Sequence, residues 1–189
     1  QAQCTPNTAL NTLAGKVNTD DMMTAATNDG RTYIAFWAPV SGPTYYEMRL
    51  QLLDTSGTPQ FGPNGMIVDN SIGMSTSTVT WDLRVDNTNN AYIGITGTGG
   101  NGDARVHKVS PSGTKQWGTN GITIGQGYSV TPLVIPEVLE NINLELSPQE
   151  RRRYLVDHYT HVSSANKRFC LGYGAYMLGV GYMLLTKDV

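Results

Sequence analysis

Charge is scarce in this chain: Asp, Glu, Lys and Arg make up 15% of its 189 residues, and 13 basic against 15 acidic side chains leave a formal net charge of −2. A nucleic-acid partner would call for a concentrated basic surface, so that class of partner is not expected. Cysteine is equally sparse. Cys4 and Cys170 lie in segments of different character, which leaves open a bridge in an oxidising compartment or a lipid-attachment site and a buried thiol. Of the three histidines, His158 and His161 stand near Asp157 and Cys170, but the four closely spaced ligands of a structural zinc site are not there. Asp20, Asp21, Asp82, Asp86 and Asp103 do not fall at the fixed spacing of a calcium loop. The run Gly97-Thr98-Gly99-Gly100-Asn101-Gly102 lacks the Lys-Ser/Thr and helix start of a phosphate loop. No catalytic constellation is legible, and no cofactor or metal is expected.

Glycine is plentiful (21 residues), as are Asn and Thr, the balance of short strands joined by tight turns. The start of the chain, Gln1-Ala2-Gln3-Cys4-Thr5-Pro6, has no initiator Met and runs into polar sequence. It reads as a mature exported chain after removal of a signal peptide, so residues 1–19 are taken as an N-terminal segment and the location as secreted or cell surface.

An internal echo organises the next two-thirds. Residues 49–68 recur as 105–124, an offset of 56, with Ser56 matching Ser112, Gly57 matching Gly113, Gln60 matching Gln116, Gly62 matching Gly118, and Asn64-Gly65 matching Asn120-Gly121. Alternating residues before Ser-Gly-Thr suggest a half-buried strand, and Asn-Gly supplies a tight turn into a short one. Upstream, Met22 to Phe36 and Trp81 to Ile95 match at an offset of 59, each as two strands around an Asn-rich turn. The three-residue difference falls in a connecting loop. Four short strands per unit is the blade pattern of a propeller. The expectation is a mainly β chain with blades at about 20–68 and 79–124, a partial third at 125–136, and a helical tail at 137–189.

The unit ending in Gln116-Trp117-Gly118-Thr119-Asn120-Gly121 resembles the blade repeats of secreted bacterial β-propeller proteins. The resemblance covers residues 20–136 and implies architecture; activity in such proteins ranges over adhesion, glycan or protein binding, and catalysis. A closed propeller has four to eight blades, so the resemblance also implies a homo-oligomer completing the ring, or another way of covering open edges.

The tail differs in style. Ser147-Pro148-Gln149-Glu150 forms a helix start with a capping box, and Tyr154, Leu155, His158, Tyr159 and Val162 follow at helical spacing. Residues 169–185 carry no charge over 17 positions, the lower limit for a membrane span. Phe169, Gly172, Ala175, Gly179 and Leu185 mark this candidate membrane or docking segment, whose small residues would admit a close helix. Its basic flank, Arg151 to Arg153 with Lys167-Arg168, opposes the orientation of an exported amino terminus.

Among candidate binding residues the aromatics stand out. Trp37, Tyr45, Tyr46 and Trp81 are the candidates for stacking on sugar or anchoring a partner, with Tyr45 and Tyr46 expected in a loop. Core packing is the competing role for the tryptophans, since Trp117 matches Phe61 and Tyr92 matches Tyr33 as scaffold positions. His107 has Gln51 as its counterpart, which suggests a tolerant surface position. The leading expectation is an exported, non-enzymatic binding or adhesion module for a glycan or surface protein. The alternatives are a fragment of a propeller-type polysaccharide-degrading enzyme and a membrane-tethered structural surface protein.

Overall fold

The repeats fold as two antiparallel meanders. A computed structural model describes residues 14–15, 19–42, 46–72, 81–96, 104–125, 145–147, 149–151 and 153. Within them run β1 (Asp20–Ala26), β2 (Thr32–Pro39), β3 (Tyr46–Leu53), β4 (Met66–Asp69), β5 (Trp81–Val85), β6 (Ala91–Thr96), β7 (Ala104–Val109) and β8 (Ile122–Gly125). They form two four-stranded sheets in the orders β1-β2-β3-β4 and β5-β6-β7-β8, with sequence neighbours always paired antiparallel. Each sheet is blade-like, and the pair is consistent with a propeller-type β fold.

The sequence echo reappears in backbone detail. In the first turn of each sheet, Thr27 N–H bonds the Arg31 carbonyl as Asp86 N–H bonds that of Asn90. The left-handed position falls on Gly30 (φ 85°) in one and on Asn89 (φ 65°) in the other; asparagine is among the few side chains that tolerate it. Between the third and fourth strands, Gln60 N–H bonds the Leu52 carbonyl as Gln116 N–H bonds that of Lys108. A glycine is obligatory at the Asn-Gly turns. Gly65 and Gly121 sit at φ 67° and 63°, and a Cβ there would run into the carbonyl oxygens of Leu50 and Val106. Even the irregularities match: β3 and β4 slip register at Met48/Arg49, and β7 and β8 at the corresponding Ala104/Arg105. Each slip is a bulge that bends the short outer strand.

One core holds the sheets together. From the first come Tyr33, Ala35, Trp37, Met48, Leu50, Leu52 and Val68, and from the second Trp81, Leu83, Ala91, Ile93, Ile95 and Val109. On the first sheet these residues alternate along β2 and β3, so a single face is turned toward the second. The edge strands β1 and β5 lie beside one another.

Apart from Gly125, which ends β8, the partial third repeat at 125–136 lies outside the described residues, as does most of the expected helical tail. The helix start is within them. Ser147 Oγ accepts from Glu150 N–H at 3.3 Å while the Glu150 carboxylate accepts from Ser147 N–H at 2.8 Å, the reciprocal bonds of a capping box. Helical backbone follows at Gln149, Glu150, Arg151 and Arg153, and the Arg151 guanidinium donates to the Thr123 carbonyl of β8 at 3.0 Å.

Candidate functional site

Aromatic and carboxylate groups gather where β1 and β5 begin. Register places Asp20 opposite Trp37, and Pro39 opposite Tyr46, so the start of β1, the end of β2 and the start of β3 meet at one end of the first sheet. The Asp20 carboxylate, near the Tyr46 hydroxyl, raises that phenol above its ordinary range. Trp81, first residue of β5, donates its indole N–H to Asp21 Oδ2 at 2.6 Å across the sheets. Asp21 takes φ 40° at the register slip in β1. That slip turns two adjacent acids toward different aromatic partners. Asp20 and Asp21 are exposed and Tyr46 is half-buried. Trp37 and Trp81 lie beneath as core, 1% and 5% exposed, and Trp37 Nε1 has no hydrogen-bond partner among the described residues.

Three of the four aromatic candidates therefore come together, in two layers: Tyr46 at the surface, Trp37 and Trp81 under it. Burial assigns the tryptophans the packing role that competed with ligand contact. Tyr46 is the first residue of β3, not of a loop as expected, because its backbone pairs with Pro39. Tyr45 lies outside the described residues, as do Phe169, Gly172, Ala175, Gly179 and Leu185. Among the described residues no helix is long and apolar enough to cross a membrane, and no group of three or more His, Cys, Asp or Glu side chains is placed to hold a metal ion.

A second polar cluster lies deep between the sheets. Asp69, last residue of β4, receives His107 Nε2 on Oδ2 at 2.9 Å and Arg105 Nη1 on the same oxygen at 3.3 Å. Its Oδ1 accepts from the Ser71 N–H and hydroxyl, both at 2.8 Å. Burial pushes the Asp69 carboxyl up, but the His107 bond and the Ser71 donors outweigh it and hold the group well below the usual carboxylate range. Beside it Lys115 Nζ donates to the Val68 carbonyl at 2.6 Å, and burial lowers that ammonium, with Asp69 opposing. The residue types are those of an acid–base dyad. Their side chains are 0% and 1% exposed, so the chemistry available to them is that of a joint.

The tolerant surface position expected at His107 is thus corrected: His107 and its counterpart Gln51 are both fully buried. Gln51 stays within its own sheet, donating to the Gly62 carbonyl at 2.7 Å and accepting from Phe61 N–H at 2.8 Å. The clue in the sequence was the change of chemistry itself, Gln to His, inside an otherwise matched strand. A third contact region joins the first turns of the sheets, where Asn28 N–H donates to Asn89 Oδ1 at 2.8 Å, Asn89 Nδ2 to Asp29 Oδ2 at 3.2 Å, and the Tyr33 hydroxyl to the Asn89 carbonyl at 3.0 Å. Burial pushes the Tyr33 phenol up to about 12, so it acts there as a donor at any ordinary pH. Comparison with models of protein families, with curated proteins and with solved structures finds no match.

Proposed function

We propose that this chain is an exported, non-enzymatic binding module of the propeller type, and that its ligand is a glycan held at the end of the sheets where Tyr46, Asp20 and Asp21 meet. The observation carrying this reading is the convergence of a half-buried tyrosine and two exposed carboxylates on a rigid base of core tryptophans. Sugar rings offer an apolar face to an aromatic and hydroxyl groups to carboxylates, so the two residue types are complementary to one ligand. Tyr45, next to Tyr46 in sequence, is the natural second aromatic. Export rests on the likeness of Gln116-Trp117-Gly118-Thr119-Asn120-Gly121 to the repeats of secreted bacterial propeller proteins.

A glycan array probed with the wild-type protein is expected to give a defined set of binders. Tyr46→Ala and Asp20→Asn are each expected to weaken that binding by about tenfold or more, with the far-ultraviolet circular dichroism unchanged. Binding that survives both substitutions overturns the placement of the site. An array without binders, alongside capture of a surface protein that depends on Tyr46, overturns the glycan and keeps the surface.

A further inference from the structure

Corresponding positions in the two sheets are put to different uses. In the second sheet, Trp81 reaches Asp21, Asn89 reaches Asn28 and Asp29, Arg105 reaches Asp69 and Ser71, His107 reaches Asp69, and Lys115 reaches the Val68 carbonyl, all across to the first sheet. Their counterparts in the first sheet are Met22, Gly30, Arg49, Gln51 and Pro59. Met22 is 61% exposed. Gly30 and Pro59 have no side-chain donor to extend. Arg49 donates within its own sheet, to Glu47 at 2.6 Å and to the carbonyls of Asn64 and Gly65, and Gln51 likewise stays inside. Nor is the acceptor side repeated, for Asp69 has Gly125 as its counterpart.

The apolar side of the same face is closed by the chain itself. Ile95 of the second sheet lies in the shared core, whereas its counterpart Phe36 meets Gly15, whose backbone is so near that a Cβ would stand 2.5 Å from Phe36 Cζ. Phe36 is buried, and Gly65 of the turn before β4 lies against the same ring, where a Cβ would stand 3.4 Å from Cζ.

We infer that the inward face of the second sheet is a recognition surface for a sheet of this same repeat that carries carboxylates at the positions of Asp21 and Asp69. Among the described residues the first sheet satisfies it, and the outward face of the first sheet is a terminal face at which Gly15 stands against Phe36. In repeat proteins the end units differ from the internal ones in this way, because they meet other chain or solvent where internal units meet a neighbour. A second copy docking head-to-tail would set Gly125 against Arg49 and Gln51 and would recover none of the five polar links. Ring closure through the first sheet is therefore not built into this chain.

Light scattering coupled to size exclusion, over a wide range of concentration, tests this directly. The wild-type chain is expected to run as a monomer of 20.5 kDa. A variant given four members of the missing set, M22W, Q51H, P59K and G125D together, is expected to self-associate with increasing concentration. Gly15→Leu, which lifts the segment from Phe36, is expected to do the same more weakly. Wild-type oligomers that dissociate on Phe36→Asp would overturn the terminal face. A fourfold variant that folds and remains monomeric would overturn the recognition set.

Discussion

Asp69 links more groups than any other side chain in the joint. One oxygen closes the turn after β4 through Ser71, and the other receives His107 and Arg105 from the opposite sheet. A carboxylate so buried is stabilised only while ionised and fully bonded, and losing its charge strands the donors around it. Unfolded, the group titrates near its ordinary 3.8, and folded it titrates lower. Its contribution to stability is therefore complete above that ordinary value and is lost as the pH falls through it toward the folded value. Asp69→Asn is expected to cost about 3 kcal/mol at neutral pH and to flatten the loss of stability in the acid range. Urea unfolding of both proteins on either side of the ordinary carboxylate range measures it, and parallel acid slopes would assign that loss to other groups. This role was not legible in the strand. Nearly all of β7 is buried, so its residues face packing on both sides and the alternation that betrays a surface position is absent.

The strands themselves were legible to within a few residues, because each ends in chemistry that allows little else. Glycine or asparagine stands wherever φ turns positive between strands, and β-branched or aromatic residues fill the stretches between. The Ser147–Glu150 capping box was equally readable, since its bonds are local. What the one-dimensional pattern did not distinguish is how differently the strands of these sheets are buried. β6 is buried along its whole length, while β1 alternates between exposed and half-buried residues. Opening free energies follow burial and the protection of backbone bonds. Amide hydrogen exchange is expected to be slowest in β6 and fastest in β1, with the two central strands β2 and β6 more alike than the edge strands β1 and β5. Slower exchange in β1 than in β6 would mean that β1 is covered by something beyond these two sheets.

At the scale of the molecule, the two sheets share one core and three polar contact regions, so neither has a complete interior alone. Tyr33, Leu50 and Trp37 of one pack with Leu83, Ile93 and Trp81 of the other, and isolated small sheets are seldom stable without a covered face. Unfolding of the repeat region is expected to be a single transition. Tryptophan fluorescence, which reports from Trp37 and Trp81 in the core and Trp117 at the outer loop, is expected to coincide with the loss of far-ultraviolet signal. Two separated transitions would mean that the sheets are independent and that the joint is secondary.

The sequence alone determined what depends on neighbouring residues: the period of the repeat, the turns that demand Gly or Asn, the eight short strands and the cap at Ser147. Tertiary structure decided which face of each sheet is turned inward, and with it the fate of single residues. Trp37 and Trp81 went to the core, Tyr46 to the surface above them, and His107 and Gln51, equals by alignment, to opposite uses. The physical reason is that hydrogen bonding along a strand repeats with the sequence, whereas burial depends on what lies across a sheet, and the two described sheets present opposite faces of the repeat to one another.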